Sequence, residues 1–114
     1  MLNMKLINRD TEGELKLIGR LDTNTAGDAE EHMVAAGERF DTLYLDMAEL
    51  EYVSSAGLRA LKRAHLAMRR KGGSLVIKNV SKAGMEVFEI TGFAGMLKIV
   101  CSTATPGRYD KRVK

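Results

Sequence analysis

Hydrophobic and polar positions alternate with a period of two in some stretches of this chain and of three to four in others, and the switches mark the elements. Residues 4–9 read as a short strand that ends at a turn, Asp10-Thr11-Glu12-Gly13. Residues 14–20, ELKLIGR, alternate through Leu15, Leu17 and Gly19, so the two runs form a hairpin. Asp22-Thr23-Asn24-Thr25 is a cluster of N-cap residues. Behind it Ala26, Ala29, Met33, Ala36 and Phe40 share one face of a helix running to about Arg39. Residues 42–47, TLYLDM, form the next strand, and Ala48 to Tyr52 a short connection leading to Val53-Ser54-Ser55-Ala56-Gly57.

A second helix follows, to about Lys71. Leu58, Leu61, Ala64, His65 and Met68 make its apolar stripe, and Arg59, Lys62, Arg63, Arg69 and Arg70 lie opposite. Gly72-Gly73 ends it, with cations in the last turn where the helix dipole favours them. Residues 74–79 are a strand. Ser81 caps a third helix, with Met85, Phe88 and Ile90 apolar, which stops at Thr91-Gly92. Residues 96–101 form a last short strand. The order ββαβαβαβ implies an α/β domain of about five strands and three to four helices. Its crossovers make the sheet mostly parallel, with the opening hairpin as an antiparallel edge.

Length and composition narrow the class. A chain of 114 residues, 45% apolar and 29% charged, is one soluble domain with a modest core. No apolar run approaches the ~18–20 residues that span a bilayer, and the first residues hold no secretory h-region. The expected location is the cytoplasm, without membrane insertion. Cys101, the single cysteine, cannot form an internal disulfide and reads as structural or incidental.

The isoelectric point near 9.1 suggests nucleic acid until the charge is located. Residues 1–102 carry 14 Lys and Arg against 14 Asp and Glu, so the net +3 comes from Arg108, Lys111, Arg112 and Lys114 against Asp110. With aromatics at 5%, a balanced body offers little for base stacking, and no direct nucleic-acid contact is expected. The domain is therefore taken as 1–102, followed by a basic, flexible tail at 103–114.

The chain lacks a GxxxxGK[ST] loop, a GxGxxG after a strand, metal-ligand spacing of His, Cys and carboxylates, and a GxSxG elbow. Neither an enzyme, a metal site nor a cofactor is expected. What stands out is Ser54-Ser55-Ala56-Gly57 at the start of the second helix. One serine caps the helix, and the small residues let the chain turn. The other is displayed where terminal N–H groups and the dipole favour a negative charge, a suitable place for a phosphate. Asp22 to Thr25 lies beyond the end of another parallel strand, so both loops should share the face on which open α/β sheets bind. Two capped polar loops on one face form a plausible docking surface. Arg59 and Arg63 lie near enough to Ser55 to touch an acidic partner or a phosphate; the basic face is otherwise solvated.

Residues 4–101 resemble a STAS domain, the fold of bacterial anti-sigma factor antagonists and sulfate-transporter tails. Three features carry the match. The first is Gly19-Arg20-Leu21-Asp22 followed by Thr25. The second is Leu43 to Met47, then Leu50 and Tyr52 to Leu58. The third is Gly72-Gly73, then Val87-Phe88, Ile90 and Thr91-Gly92-Phe93. The resemblance implies a partner switch: an unphosphorylated antagonist binds a kinase-type anti-sigma factor and frees the sigma factor, phosphorylation of a serine breaks binding, and a phosphatase resets it. The family motif Asp-Ser-Ser-Gly-Leu places the modified serine at Ser55, with Ser54 as the alternative. Ser54 stands where the family has Asp, and Ala56 where it has the second serine. The partner surface implied is Asp22, Thr23, Asn24, Thr25, Ser54, Ala56, Gly57, Leu58 and Arg59; the free protein is expected to be a monomer.

Two other readings compete. One is a STAS scaffold or accessory subunit of a membrane transport or signalling complex, without phosphorylation, favoured by the absent Asp. The other is a sensor binding a nucleotide or anion at the two helix N-termini, which lacks a dedicated phosphate loop.

Overall fold

A computed structural model describes residues 2–100; Cys101, the basic segment 103–114 and the expected boundary at 102 lie outside the described residues. The hairpin is β1 (Leu2–Arg9) and β2 (Glu12–Leu21). Its turn is tighter than the four residues expected, because Arg9 already pairs with Glu12. Asp10 takes φ +66°, and its N–H donates to Asn8 Oδ1 at 3.0 Å. Helix α1 (Ala26–Arg39) leads to β3 (Thr42–Val53), α2 (Ser55–Arg70), β4 (Ser74–Lys78), α3 (Lys82–Thr91), a short α4 (Phe93–Met96) and β5 (Lys98–Ile99). The sheet order is β1-β2-β3-β4-β5, antiparallel only between β1 and β2.

Each crossover steps the same way across the sheet, so right-handed connections put the helices on one face. Alternation along the strands sends Leu15, Leu17, Leu43, Leu45, Leu75 and Ile77 to that face. There they meet Ala29, Met33 and Ala36 of α1 and Leu61, Ala64 and Met68 of α2, all buried. Lys71 ties the two helices: its Nζ donates to Gly37 O at 2.7 Å and Phe40 O at 2.8 Å, satisfying carbonyls that the end of α1 leaves open.

The residues of opposite parity form the other face, which no helix covers. Glu14 is nearly buried there between Lys78, at 3.1 Å, and Arg9, at 3.4 Å, while Lys78 lies over the Tyr44 ring. Lys16 pairs with Glu49 at 2.9 Å.

Three expectations are corrected. Residues 48–52, read as a connection, are strand. β2 runs on to Leu21, and β3 stays beside it through Ile18–Glu49, Gly19–Leu50, Arg20–Tyr52 and Leu21–Val53. Register shifts between Lys16 and Ile18 and between Gly19 and Arg20 absorb the surplus residues, and Gly19 takes φ +112° at that point. Ile90 does not belong to the buried face of α3. It lies two residues, about 200° of helix, beyond the buried Phe88 and is 85% exposed. The last strand is cut to Lys98–Ile99, because α4 occupies Phe93–Met96.

Candidate functional site

The parallel strands β2 and β3 end together, Leu21 beside Val53, and the connections leaving them build one face. β2 ends at Leu21, and Asp22 turns the chain into α1. Its Oδ1 accepts from Asn24 N at 3.0 Å and Thr25 N at 3.2 Å, and its own N–H donates to Thr25 Oγ1 at 2.9 Å. Thr25 Oγ1 donates back to Arg20 O at 2.9 Å. The cluster therefore works as a locked turn closed by the Asp22 side chain ahead of the helix; Thr25, at the N-cap position, makes no side-chain cap bond. Partial desolvation pushes the Asp22 carboxyl up, but the Asn24 and Thr25 N–H groups and the Thr25 hydroxyl outweigh it and hold the carboxyl below its ordinary value. Thr23 and Asn24 are exposed at the tip.

β3 ends one residue before α2, and the two serines separate in role. Ser54 is the N-cap: its backbone is extended and its Oγ accepts from Gly57 N at 3.1 Å. Its N–H donates to Leu21 O at 2.9 Å, binding this loop to the first. Ser55 is the first helical residue, exposed, and its hydroxyl makes no hydrogen bond among the described residues. Gly57 permits the contact between the loops, since a Cβ there would lie 2.9 Å from Leu21 O and 2.7 Å from Leu21 Cγ. The first turn of α2 has no acidic side chain. No carboxylate of the helix's own first turn therefore offsets its dipole beside Ser55.

Arg59 follows Ser55 by four residues, on the same side of α2, exposed and without an ion-pair partner among the described residues. Arg63, expected near Ser55 as well, is instead held by Glu30 of α1 at 3.2 Å. The structure thus brings together Asp22, Thr23, Asn24, Thr25, Ser54, Ser55 and Arg59. Gly57 and Leu58, expected in a partner surface, are buried, and Leu58 is only 6% exposed. One helical turn carries their side of α2 into the core, so they shape the loop from beneath. Ala56 is half-buried against the same core.

Sequence reasoning missed one part of this face and one buried carboxylate set back from it. Arg20 lies over the Tyr52 ring at 4.5 Å and 3.8 Å from Asp22, making a rim beside both loops. Tyr52 was hidden because its segment read as a connection. The end of β4 lies farther back, where Lys78 pairs with Asp46 in the middle of β3. Asp46, buried inside β3, accepts from Asn79 Nδ2 at 2.8 Å and Ala48 N at 3.0 Å, and Asn79 sits at φ +60° before the Ser81 cap of α3. Desolvation raises the Asp46 carboxyl, but Asn79, the Ala48 N–H, Lys78 and Lys16 together hold it below its ordinary value. A carboxylate within the apolar run LYLDM was the available signal.

Neither histidine stands beside the serines. His65 lies ten residues along α2 from Ser55, about 15 Å of helix, and His32 Nδ1 is 2.8 Å from Asp28 O on its own helix. Among the described residues no three of His, Cys, Asp and Glu gather as metal ligands, and no helix is long and apolar enough to cross a membrane. Locked turns, one unbonded hydroxyl and a helix N-terminus with no acid in its first turn suit recognition by another molecule.

Known proteins agree with this architecture. Residues 3–105 match the family model of the STAS domain. The anti-sigma-B factor antagonist of Bacillus subtilis is 24% identical over 98 residues, 86% of this chain and 90% of that one. An anti-sigma factor antagonist of Mycobacterium paratuberculosis superposes with a TM-score of 0.77 at 18% identity, over 87% of this chain and 85% of the other. The Bacillus cell fate determinant SpoIIAA, in its phosphorylated form, superposes with a TM-score of 0.69 at 16% identity over all of both chains. The chain belongs to the STAS domain family, the family of the anti-sigma factor antagonists it matches.

Proposed function

We propose that this protein is a partner-switching antagonist. Its unphosphorylated form binds a kinase-type anti-sigma factor in the cytoplasm and releases the sigma factor, and phosphorylation of Ser55 breaks that complex. The observation that carries the reading is the division of labour between the serines: Ser54 Oγ is engaged in the cap, whereas Ser55 is exposed and unbonded at the helix N-terminus. Ser54 does with a hydroxyl what the Asp of the resembled motif would do. The departure from that motif therefore leaves the cap in place. A second chain, SpoIIAA, shares the fold and exists in a phosphorylated form.

The switch needs no refolding. A phosphate adds about −1.5 to −2 charges at neutral pH to a surface matched to a neutral hydroxyl. Covering it without a matched cation costs several kcal/mol, and about 4 kcal/mol is roughly a thousandfold in affinity. Ser55→Ala should bind the partner constitutively. A phosphatase that removes the phosphate would reset the cycle.

The test is incubation of the protein with a purified kinase-type anti-sigma factor and ATP, followed by intact-mass and peptide mass spectrometry. A gain of about 80 Da located on Ser55 supports the switch. Tight binding without a phosphate would make the protein an unswitched scaffold. A phosphate on Ser54 would contradict the assignment of roles.

A further inference from the structure

Next to Ser54, and outside the two loops, a cleft opens between the far half of β3 and the first turns of α3. Its volume is about 140 Å³; Leu50, Val53, Val80 and Val87 form its apolar walls, Phe88 lies at its base, and Glu51 and Tyr52 stand on its rim. Ligand pockets for small molecules start at about 300 Å³, so this one is too small for a nucleotide. It is of the size that holds one ring or branched aliphatic group. Charges of both signs stand around it: Lys82, between the lining residues Ser81 and Ala83, is exposed at the start of α3, and Glu51 is exposed on the β3 side. Arg20, on the Tyr52 side, is already engaged with Asp22. Glu51 and the exposed Glu86, next to Val87 on α3, have no ion-pair partner among the described residues. The cleft is also continuous with the candidate site, because Val53 in its wall precedes the Ser54 cap.

We propose that this cleft is the anchor pocket of the partner-binding surface, taking one apolar side chain of the anti-sigma factor from a segment that sets a Lys or Arg against Glu51. This inference rests on the partner-switching reading. It adds a second contact region to the Ser55 loop, with its own chemistry. The loop reads the presence or absence of a phosphate, while the cleft supplies desolvated apolar contact, which dominates the affinity of protein interfaces. The carboxylate on its rim favours partners with a basic residue beside the anchor.

The experiment is calorimetric titration of a purified kinase-type anti-sigma factor into wild-type protein, Ala83→Arg and Glu51→Lys. Ala83 lines the cleft yet is exposed on α3, so a long side chain there blocks the pocket without entering the core. Glu51 is exposed on β3, and its reversal leaves the pocket open but changes its charge. Each substitution should weaken binding at least tenfold and leave the thermal midpoint within a few degrees of wild type. Unchanged affinity in both variants, with wild type still binding, overturns the cleft proposal and leaves the switch standing. Absence of binding by wild type overturns both. If truncation after residue 102 abolishes the effect of both substitutions, the occupant is the chain's own basic segment, and the proposal falls.

Discussion

At the scale of single residues, the two serines of one loop have different physical duties. Ser54 satisfies a helix N–H that would otherwise be open. Ser54→Ala should lower the unfolding free energy by about 0.5–2 kcal/mol, and Ser55→Ala by less than about 0.5 kcal/mol, in urea titrations. Equal losses would mean that both hydroxyls are structural. His65 is a second case. It occupies the apolar stripe of α2, 8% exposed, with Nδ1 buried and unpaired. Desolvation, and then the Arg69 charge, hold its pKa below the ordinary imidazole value of 6.5. The unfolded chain therefore binds a proton that the folded one refuses. Stability is full above pH about 6.5 and falls as pH drops below that value toward the depressed folded pKa. Thermal midpoints measured from pH 7.5 to 5 should decline, and His65→Leu should flatten the decline.

At the scale of elements, close approach and helix face decide more than propensity. The N-terminus of α2 reaches the end of β2 only because Gly57 has no side chain. Gly57→Ala places a methyl group against the Leu21 carbonyl and should cost at least about 1–3 kcal/mol, even though alanine is the better helix former. A neutral or stabilising result in chemical denaturation would mean that the loops yield. Helix α3 gives a paired test. Phe88→Ala should cost about 3–5 kcal/mol, and Ile90→Lys less than about 0.5 kcal/mol, since Phe88 is 1% and Ile90 85% exposed. Periodicity alone counted both as apolar positions of one helix. It could not tell which lay beneath, because the apolar stripe of α3 is short.

At the scale of the whole molecule, the sheet order sets the loops at one pole apart from the packed core. Every helix crosses on one face, so the core lies between that face and α1 and α2, while the ends of β2 and β3 carry their two loops at one pole. The free hydroxyl of Ser55 lies outside that core. Ser55→Asp should weaken partner binding strongly while the thermal midpoint stays within about 2 °C of wild type and amide shifts in β1 and β4 stay unchanged. Shifts spreading through the sheet would instead indicate a coupled conformational change.

Local chemistry in the sequence was sufficient for much of this. Alternation in ELKLIGR, the three-to-four spacing from Leu58 to Met68, the Gly72-Gly73 stop and the serine caps specify their elements through steric and hydrogen-bonding rules that act over a few residues. The order of those elements, with right-handed crossovers, then fixes the parallel sheet and brings Asp22 and Ser54 to one end. Other features depend on partners distant in sequence. The second half of β3 is strand because β2 continues beside it. Tyr52 becomes a rim because Arg20 is its neighbour across that pair. Arg63 is withdrawn from the site by Glu30, Leu58 by the core, and the cleft exists only where β3 and α3 meet. Spacing along the chain carries no record of these contacts, since their energies arise when segments tens of residues apart are pressed together.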